Sequence, residues 1–482
     1  MSKSTGTSMS RQPEQQDIQL STPTGRWILL ACVLGSGIAG IDATVVNIAL
    51  PDIGRSLHVG FASLQWTVTG YTLTLASLIL LGGACGDRYG RRRVFIIGVA
   101  WFAVASMLCA LAQTAGLLIG ARALQGIGGA LLTPASLAII QSSFRSTDRA
   151  KAIGAWSALS GTASAIAPFV GGWLIQVGSW RWVFFINPPL AVVVIMIAVR
   201  HMPETRDAGA SGRMDLLGSL LGVIGLGGIT AGIIAASDDG FGSAAVLVPL
   251  IVGIAALVAF VVVENRESHP MMPLSLFRSR QFSASNAVTL LLYAANGGTV
   301  LLLVVELQTV SGFSPLAAGA ALLPVTLIML LLAARFGALA QRIGPRLPMA
   351  IGPLIGVIGL VWLTGLGPRS SYLFTVLPAV AIFGFGLAIY VAPLTSTVLS
   401  AVPASRAGIA SGVNNAVARA AGLLAVAALP VIVGLTGDSY NDAGRFLGPF
   451  KAAIWICVGL QVAGGLLSAL TIRNEPAVDA GD

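Results

Sequence analysis

Polar residues along this chain are gathered into short interruptions. Between them run fourteen apolar stretches, near 27–50, 64–83, 94–113, 116–140, 151–174, 182–200, 216–236, 244–263, 284–306, 315–334, 347–366, 372–398, 407–435 and 452–472. A hydrocarbon core of about 30 Å is crossed by about 20 apolar residues wound as helix, so each stretch predicts a spanning helix. The longest interruptions, at about 201–215 and 264–283, are too short for a separate soluble domain. The second carries His269-Pro270-Met271-Met272-Pro273 and then Leu274, Leu276 and Phe277, the pattern of a segment lying along the membrane interface. The fold class read from this pattern is an all-α membrane protein with fourteen transmembrane helices.

Composition agrees, since only 10% of residues are charged where soluble domains have about 25%. The 58 glycines suit spanning helices that approach through small residues. A formal net charge of +9 raises nucleic acid as a partner, and the placement of the charges rejects it. With the N-terminus in the cytoplasm, 21 Lys and Arg fall on the inner side and only Arg55, Arg181, Arg369, Arg445 and Lys451 on the outer side. That is the positive-inside bias of a multi-pass protein of the inner or plasma membrane with both termini cytoplasmic. Residues 1–26 lack an apolar signal core and read as a disordered cytoplasmic tail, with a second tail at 473–482. Cys32, Cys85, Cys109 and Cys457 sit in or at spans as small hydrophobes, without metal spacing.

An internal repeat organises the spans. Gly83-Ala84-Cys85-Gly86-Asp87-Arg88-Tyr89-Gly90-Arg91-Arg92 joins the second and third, and Gly337-Ala338-Leu339-Ala340-Gln341-Arg342-Ile343-Gly344-Pro345-Arg346 joins the tenth and eleventh at an offset of 254. Arg149-Ala150 and Arg406-Ala407 form a second pair, offset 257. The organisation read from this is a six-helix bundle at 27–200, a linker with two extra spans at 201–281, and a second bundle at 282–472. Parallel halves about an axis along the membrane normal are a transporter design, with substrate held between them near mid-membrane.

Three motifs carry a family resemblance over about residues 26–472. Gly83 to Arg92 resembles the cytoplasmic loop signature of the major facilitator superfamily. Ile41-Asp42-Ala43-Thr44-Val45-Val46-Asn47-Ile48-Ala49-Leu50-Pro51 is similar to the first-span signature of its 14-span drug:proton antiporters. Arg122-Ala123-Leu124-Gln125-Gly126-Ile127-Gly128-Gly129-Ala130 matches their fourth-span signature. In the fifth span, Ala167-Pro168-Phe169-Val170-Gly171-Gly172 has Ala where the antiporter signature has Gly, while Gly161, Pro168, Gly171 and Gly172 remain. The resemblance implies the major facilitator fold and export of apolar or cationic drugs and toxic compounds against incoming protons, without a cofactor. Resembling proteins also include dedicated exporters of one metabolite, antibiotic, siderophore or lipid. A membrane sensor or scaffold on the same fold is the rival from another class.

Candidate chemistry is sparse and therefore pointed. Asp42 lies roughly 12 Å and Arg122 roughly 10 Å from the outer end of its span. Intramembrane ionisable groups are functional by default, so Asp42 is the first candidate for proton coupling and Arg122 for its partner; the competing reading is a fixed structural ion pair. Glu306, at the end of the ninth span, is either a solvated interfacial carboxylate or a second proton-coupling site. Tyr71, Gln125, Trp156, Asn414, Asn415 and Arg419 are candidates for the substrate cavity, with Trp66 and the prolines Pro134, Pro168, Pro324 and Pro393 shaping it; the alternative for the aromatics is plain packing, and for Arg419 a structural role, neutralising helix-end carbonyls or closing the inner gate. Gly83, Asp87, Arg88, Gly90, Arg91 and Arg92 read as a conformational latch on the cytoplasmic side. No phosphate-binding loop surrounds Lys3, Lys151 or Lys451, no nucleophile or metal cluster is present, and no enzyme motif appears. An ion gradient is the remaining energy source. The partners expected are a small-molecule substrate, protons and the bilayer; the oligomeric state stays open, with a monomer expected.

Overall fold

The computed structural model describes residues 18–206, 215–267, 270–403 and 406–474. Among them are fourteen helices long and apolar enough to cross a membrane. They are α1 (Pro23–Leu57), α2 (Phe61–Tyr89), α3 (Arg91–Leu111), α4 (Ala115–Ser143), α5 (Thr147–Val177), α6 (Trp182–His201), α7 (Leu216–Asp239), α8 (Ala244–Arg266), α9 (Arg280–Thr309), α10 (Pro315–Ile343), α11 (Arg346–Leu363), α12 (Tyr372–Ser400), α13 (Ala407–Ile432) and α14 (Ala443–Thr471). Alternate ends of these helices define an N-terminal face, where α1 begins, and a far face. Most of residues 1–26, residues 207–214 and 268–269 of the linker, and residues 475–482 of the second tail lie outside the described residues.

Local chemistry sets the helix starts. Thr22 accepts from the Gly25 amide at 3.1 Å just ahead of Pro23, whose fixed φ suits a first turn. Ser279, Ser314, Thr114 and Asp442 cap α9, α10, α4 and α14 in the same way, each satisfying amides that no helical carbonyl reaches. The disordered tail expected over 1–26 needs correction at its end. The Ile18 amide donates to the Ser143 carbonyl at 3.2 Å, the Leu20 amide to Asp148 at 3.1 Å, and α1 begins at Pro23. An extended strip with backbone donors finds acceptors at the α4–α5 joint, so it docks there.

The helices form two six-helix halves with an inserted pair between them. In the first half α4 packs along α2 and α3, and in the second α9 packs on α13 and α14 while α12 packs on α10 and α11. Gly126 allows α4 to approach the Tyr71 carbonyl on α2, where a Cβ would collide with backbone. The Thr74 hydroxyl donates across the same contact to the Ala123 carbonyl at 2.8 Å. The inserted α7 lies against both α2 and α13, and α8 packs on α7. The outer side chains of α8, such as Ile251 and Val258, are exposed apolar surface, as expected of a lipid-facing helix.

The repeat is visible in backbone geometry. Gly90 turns the chain between α2 and α3 with φ 109°, and Gly344 does so between α10 and α11 with φ 87°. Only glycine adopts such angles without strain. Beyond each turn, the Arg92 amide donates to Glu204 and the Arg346 amide to Asn474, both at 3.1 Å.

Hydrogen bonds tie the halves together at the far face. Gln65 Nε2 donates to the Val426 and Ala427 carbonyls at 2.8 and 3.0 Å. Gln308 donates to the Ile48 carbonyl at 3.0 Å, and the Phe61 amide to the Gly437 carbonyl at 2.9 Å. The Tyr440 hydroxyl donates to the Val59 carbonyl at 2.8 Å. One continuous apolar cluster, including Ile48, Leu50, Leu303, Val304 and Phe446, fills the space between them.

Candidate functional site

Asp42 and Arg122 meet in the interior of the first half, each 1% exposed. An Arg122 Nη1 donates to Asp42 Oδ2 in a very short contact. The rest of the arrangement consumes both groups. Asp42 Oδ1 accepts from Gln125 Nε2 at 2.8 Å and from Asn187 Nδ2 at 3.3 Å. Arg122 Nε donates to the Thr67 carbonyl at 3.0 Å and Nη1 to Gln125 Oε1 at 2.6 Å. The guanidinium carbon stands 4.4 Å from the centre of the Tyr71 ring, a cation–π distance. Asn187 is itself held by Ser106 Oγ at 2.8 Å, and Ser106 donates to the Phe184 carbonyl at 3.0 Å. Buried charges persist only when paired and hydrogen-bonded, and this pair is both. Tyr71 and Gln125, read from sequence as cavity-lining, belong to this knot and are 2% and 0% exposed.

The second half holds a neutral counterpart. Asn296 stands 254 residues after Asp42, the offset of the loop repeat. It donates to the Tyr390 hydroxyl at 2.8 Å and accepts from Gln461 Nε2 at 2.9 Å. The contributing helices, α9, α12 and α14, are the repeats of α1, α4 and α6. Amides and a phenol replace the acid and the guanidinium, so this copy carries no charge.

Glu306 is fully buried near the far end of α9, which removes the solvated alternative. Among the described residues it forms no ion pair, and Lys451 acts on it only at longer range. Its neighbour is the Ser311 hydroxyl, which lies 3.0 and 3.2 Å from the two carboxylate oxygens and 3.3 Å from the Gly367 carbonyl. One hydroxyl proton faces three acceptors there. A proton on Glu306 would supply the missing donor.

The other candidates are dispersed. Trp156 Nε1 donates to Ser36 Oγ at 3.2 Å, and Ser36 shares a 2.6 Å hydrogen bond with Ser136, which straps α5 to α1 and α4. Asn414 donates to Asn286 and Thr289 on α9 at 3.2 and 2.8 Å. Asn415 is exposed and donates to the Ser411 carbonyl of its own helix. Arg419, in the middle of α13, is partly buried beside Tyr71 of the first half and Tyr293 of the second. Cavities of about 680 and 770 Å³ open at the N-terminal and far faces of the second half; neither is lined by Asp42, Arg122 or Arg419.

Asp87, Arg91 and Arg92 bond to one another and to the chain just after α6. Arg91 donates through Nε and Nη2 to Asp87 Oδ1 at 2.9 and 2.7 Å. Arg92 Nη1 donates to the Met202 carbonyl at the end of α6 at 3.0 Å, and Arg93 approaches Glu204 at 3.8 Å. Arg88 lies over the ring of Tyr89. Gly83 faces Pro134 of α4. On α5, Gly171 faces Val45 of α1, Gly172 faces Pro315 and Leu316 of α10, and the Pro168 carbonyl faces Gly319. These glycines let α5 touch both halves at once, whereas Gly161 borders open space.

Asn187, Ser106 and Thr67 escaped the sequence reading. Asn187 had a signal, as an amide inside an otherwise apolar span. A serine or threonine in a spanning helix has none, because its hydroxyl normally bonds its own backbone.

Two halves with this packing, carrying the three motifs in order, agree with a family match spanning residues 32–426 to the Major Facilitator Superfamily. The chain belongs to that superfamily. Among relatives, it is 34% identical over 498 residues to the puromycin resistance protein pur8 of Streptomyces alboniger, covering 98% of both chains. It is 36% identical over 389 residues to the multidrug resistance protein Stp of Mycobacterium tuberculosis, covering 80% of this chain and 72% of that one. The fold is also that of a crystal structure of a bacterial homologue of the lysosomal transporter Spinster, with a TM-score of 0.65, 16% identity, and coverage of 94% of this chain and 97% of that one. This facilitator is a multi-pass membrane protein and an efflux transporter.

Proposed function

We propose that this facilitator drives export with the proton gradient, and that Glu306 and the Asp42–Arg122 pair are its coupling groups. The carrying observation is a carboxylate buried without an ion-pair partner among the described residues, in a protein that works across a bilayer. An anion held that way costs several kcal/mol, so a proton arriving from one side and leaving to the other is the natural means of charging and discharging it. Asp42 would join the cycle only when the halves move and loosen its contact with Arg122. By the positive-inside bias, the N-terminal face is cytoplasmic, both termini included. The far face, closed in this conformation by Gln65, Gln308 and Tyr440, is then the outer one, and the cycle alternates between this closure and its opposite. The latch loop, whose Asp87 and Arg91 are bonded to each other here, would engage the second half when the cytoplasmic side closes.

The test uses cells lacking their own pumps, challenged with a panel of anionic, neutral and cationic toxic compounds, and vesicles with an imposed pH gradient. Resistance is expected to vanish with a protonophore, and Glu306→Gln and Asp42→Asn to lose gradient-driven efflux while Glu306→Asp keeps part of it. Undiminished efflux without a gradient, or with both variants, refutes proton coupling.

A further inference from the structure

We propose that Arg419 is the recognition group for an anionic cargo, and that the molecule this facilitator carries through its centre bears a carboxylate or a comparable oxyanion. The proposal rests on the efflux reading and narrows its cargo.

Arg419 sits 12 residues into α13, about 18 Å along the helix axis, and therefore near mid-membrane. Its electrostatic neighbours are Tyr71 on α2 and Tyr293 on α9, one from each half. It thus occupies the seam at which transporters with parallel repeats hold substrate. A guanidinium at the centre of a bilayer costs about 2.5–3.5 kcal/mol even on the mildest scales, and proteins meet that cost by pairing the charge. Arg122 is paired with Asp42. Arg419 forms no ion pair among the described residues, and its Nε is closed off from solvent with no acceptor.

Candidate internal partners are already engaged or remote. Asp42 is consumed by Arg122, Gln125 and Asn187. Glu306 lies near the far end of α9, bonded to Ser311. With the Asp42–Arg122 pair neutral as a unit, the seam keeps one net positive charge. That charge would repel a cation and attract an anion. A guanidinium offers parallel N–H donors in a planar fork that matches a carboxylate two-for-two. Tyr293, which is only partly buried, adds aromatic surface beside it, suited to the apolar body of an amphipathic acid.

Direct binding separates this proposal from proton coupling, because it needs no gradient. The purified full chain in lipid nanodiscs is titrated with three probes sharing one fluorescent ring system: dansylglycine (anionic), dansylamide (neutral) and dansylcholine (cationic). Dansylglycine is expected to bind at least tenfold more tightly than dansylcholine. Arg419→Gln should bring that ratio to near one while leaving dansylamide affinity unchanged, and Arg419→Lys should keep part of it. Equal or tighter binding of dansylcholine by the native chain overturns the proposal, as does an anion preference that survives Arg419→Gln. Loss of dansylamide binding in Arg419→Gln would also overturn it, since the residue would then be holding the fold. A preserved anion preference in a protein whose efflux ignores the pH gradient would sink the coupling mechanism and leave the anion site standing.

Discussion

Replacing Arg122 with Met removes the guanidinium but keeps an unbranched side chain in its place. The variant loses the ion pair to Asp42, the hydrogen bonds to the Thr67 carbonyl and Gln125, and the contact with the Tyr71 ring. Asp42 then keeps only the amide donors of Gln125 and Asn187. Removing one partner of a buried pair costs about 3–5 kcal/mol, because the other charge is left uncompensated. The two remaining donors put this case at the lower end, about 3 kcal/mol, or roughly two decades in the unfolding equilibrium at about 1.4 kcal/mol per decade. Asp42→Asn strands the Arg122 charge and should cost about the same. The double variant removes both charges together. It should cost no more than either single, falling about 3 kcal/mol short of additivity. Cys32, Cys109 and Cys457 are fully buried, so their reactivity towards a thiol dye reports unfolding in mixed micelles of increasing denaturant. Additive singles, or singles below about 1 kcal/mol, would show that the two side chains do not depend on each other and would refute the knot.

Gln65→Leu deletes both of its bonds to α13 at the far face and should weaken that closure by about 1–3 kcal/mol, seen as longer spin-label distances across that face; unchanged distances refute its role as a clasp. Gly90→Ala imposes a Cβ at φ 109° and against Glu204, so it should destabilise by more than about 1 kcal/mol, and Gly344→Ala likewise against Asn474; thermal inactivation in detergent checks both. Burial pushes the Tyr440 phenol above its ordinary 10.0. Its stabilising contribution should be complete below that pH and fall above it, where the unfolded chain ionises first; Tyr440→Phe should flatten that alkaline decline.

Much of the fold was legible because a bilayer forces it. A spanning segment must be long, apolar and internally hydrogen-bonded, so its position shows without tertiary information. The repeat was legible because Gly90 and Gly344 each meet a backbone angle that other residues resist. The equal depths of Asp42 and Arg122 were enough to suggest their contact. The rest of the site depends on which face of each helix turns inward, and apolar spans carry little signal of that. Gln125 and Tyr71 therefore looked like cavity residues when they complete a buried knot. The resemblance implies an apolar or cationic cargo, and Asp42, the carboxylate deep in the first half, is occupied by Arg122. Arg419 became informative only once its neighbours were known, because an unpaired charge cannot be recognised without knowing what surrounds it.

The inserted helix α7 touches α2 and α13, one from each half, and so acts as a binding along one edge of the molecule. At the opposite edge, where α5 meets α10, no inserted helix bridges the halves among the described residues; there Gly172 meets Pro315 and Leu316, and Gly319 meets Pro168. The two halves are thus pages joined at a spine. An element that touches both halves limits how far they can part along its own edge.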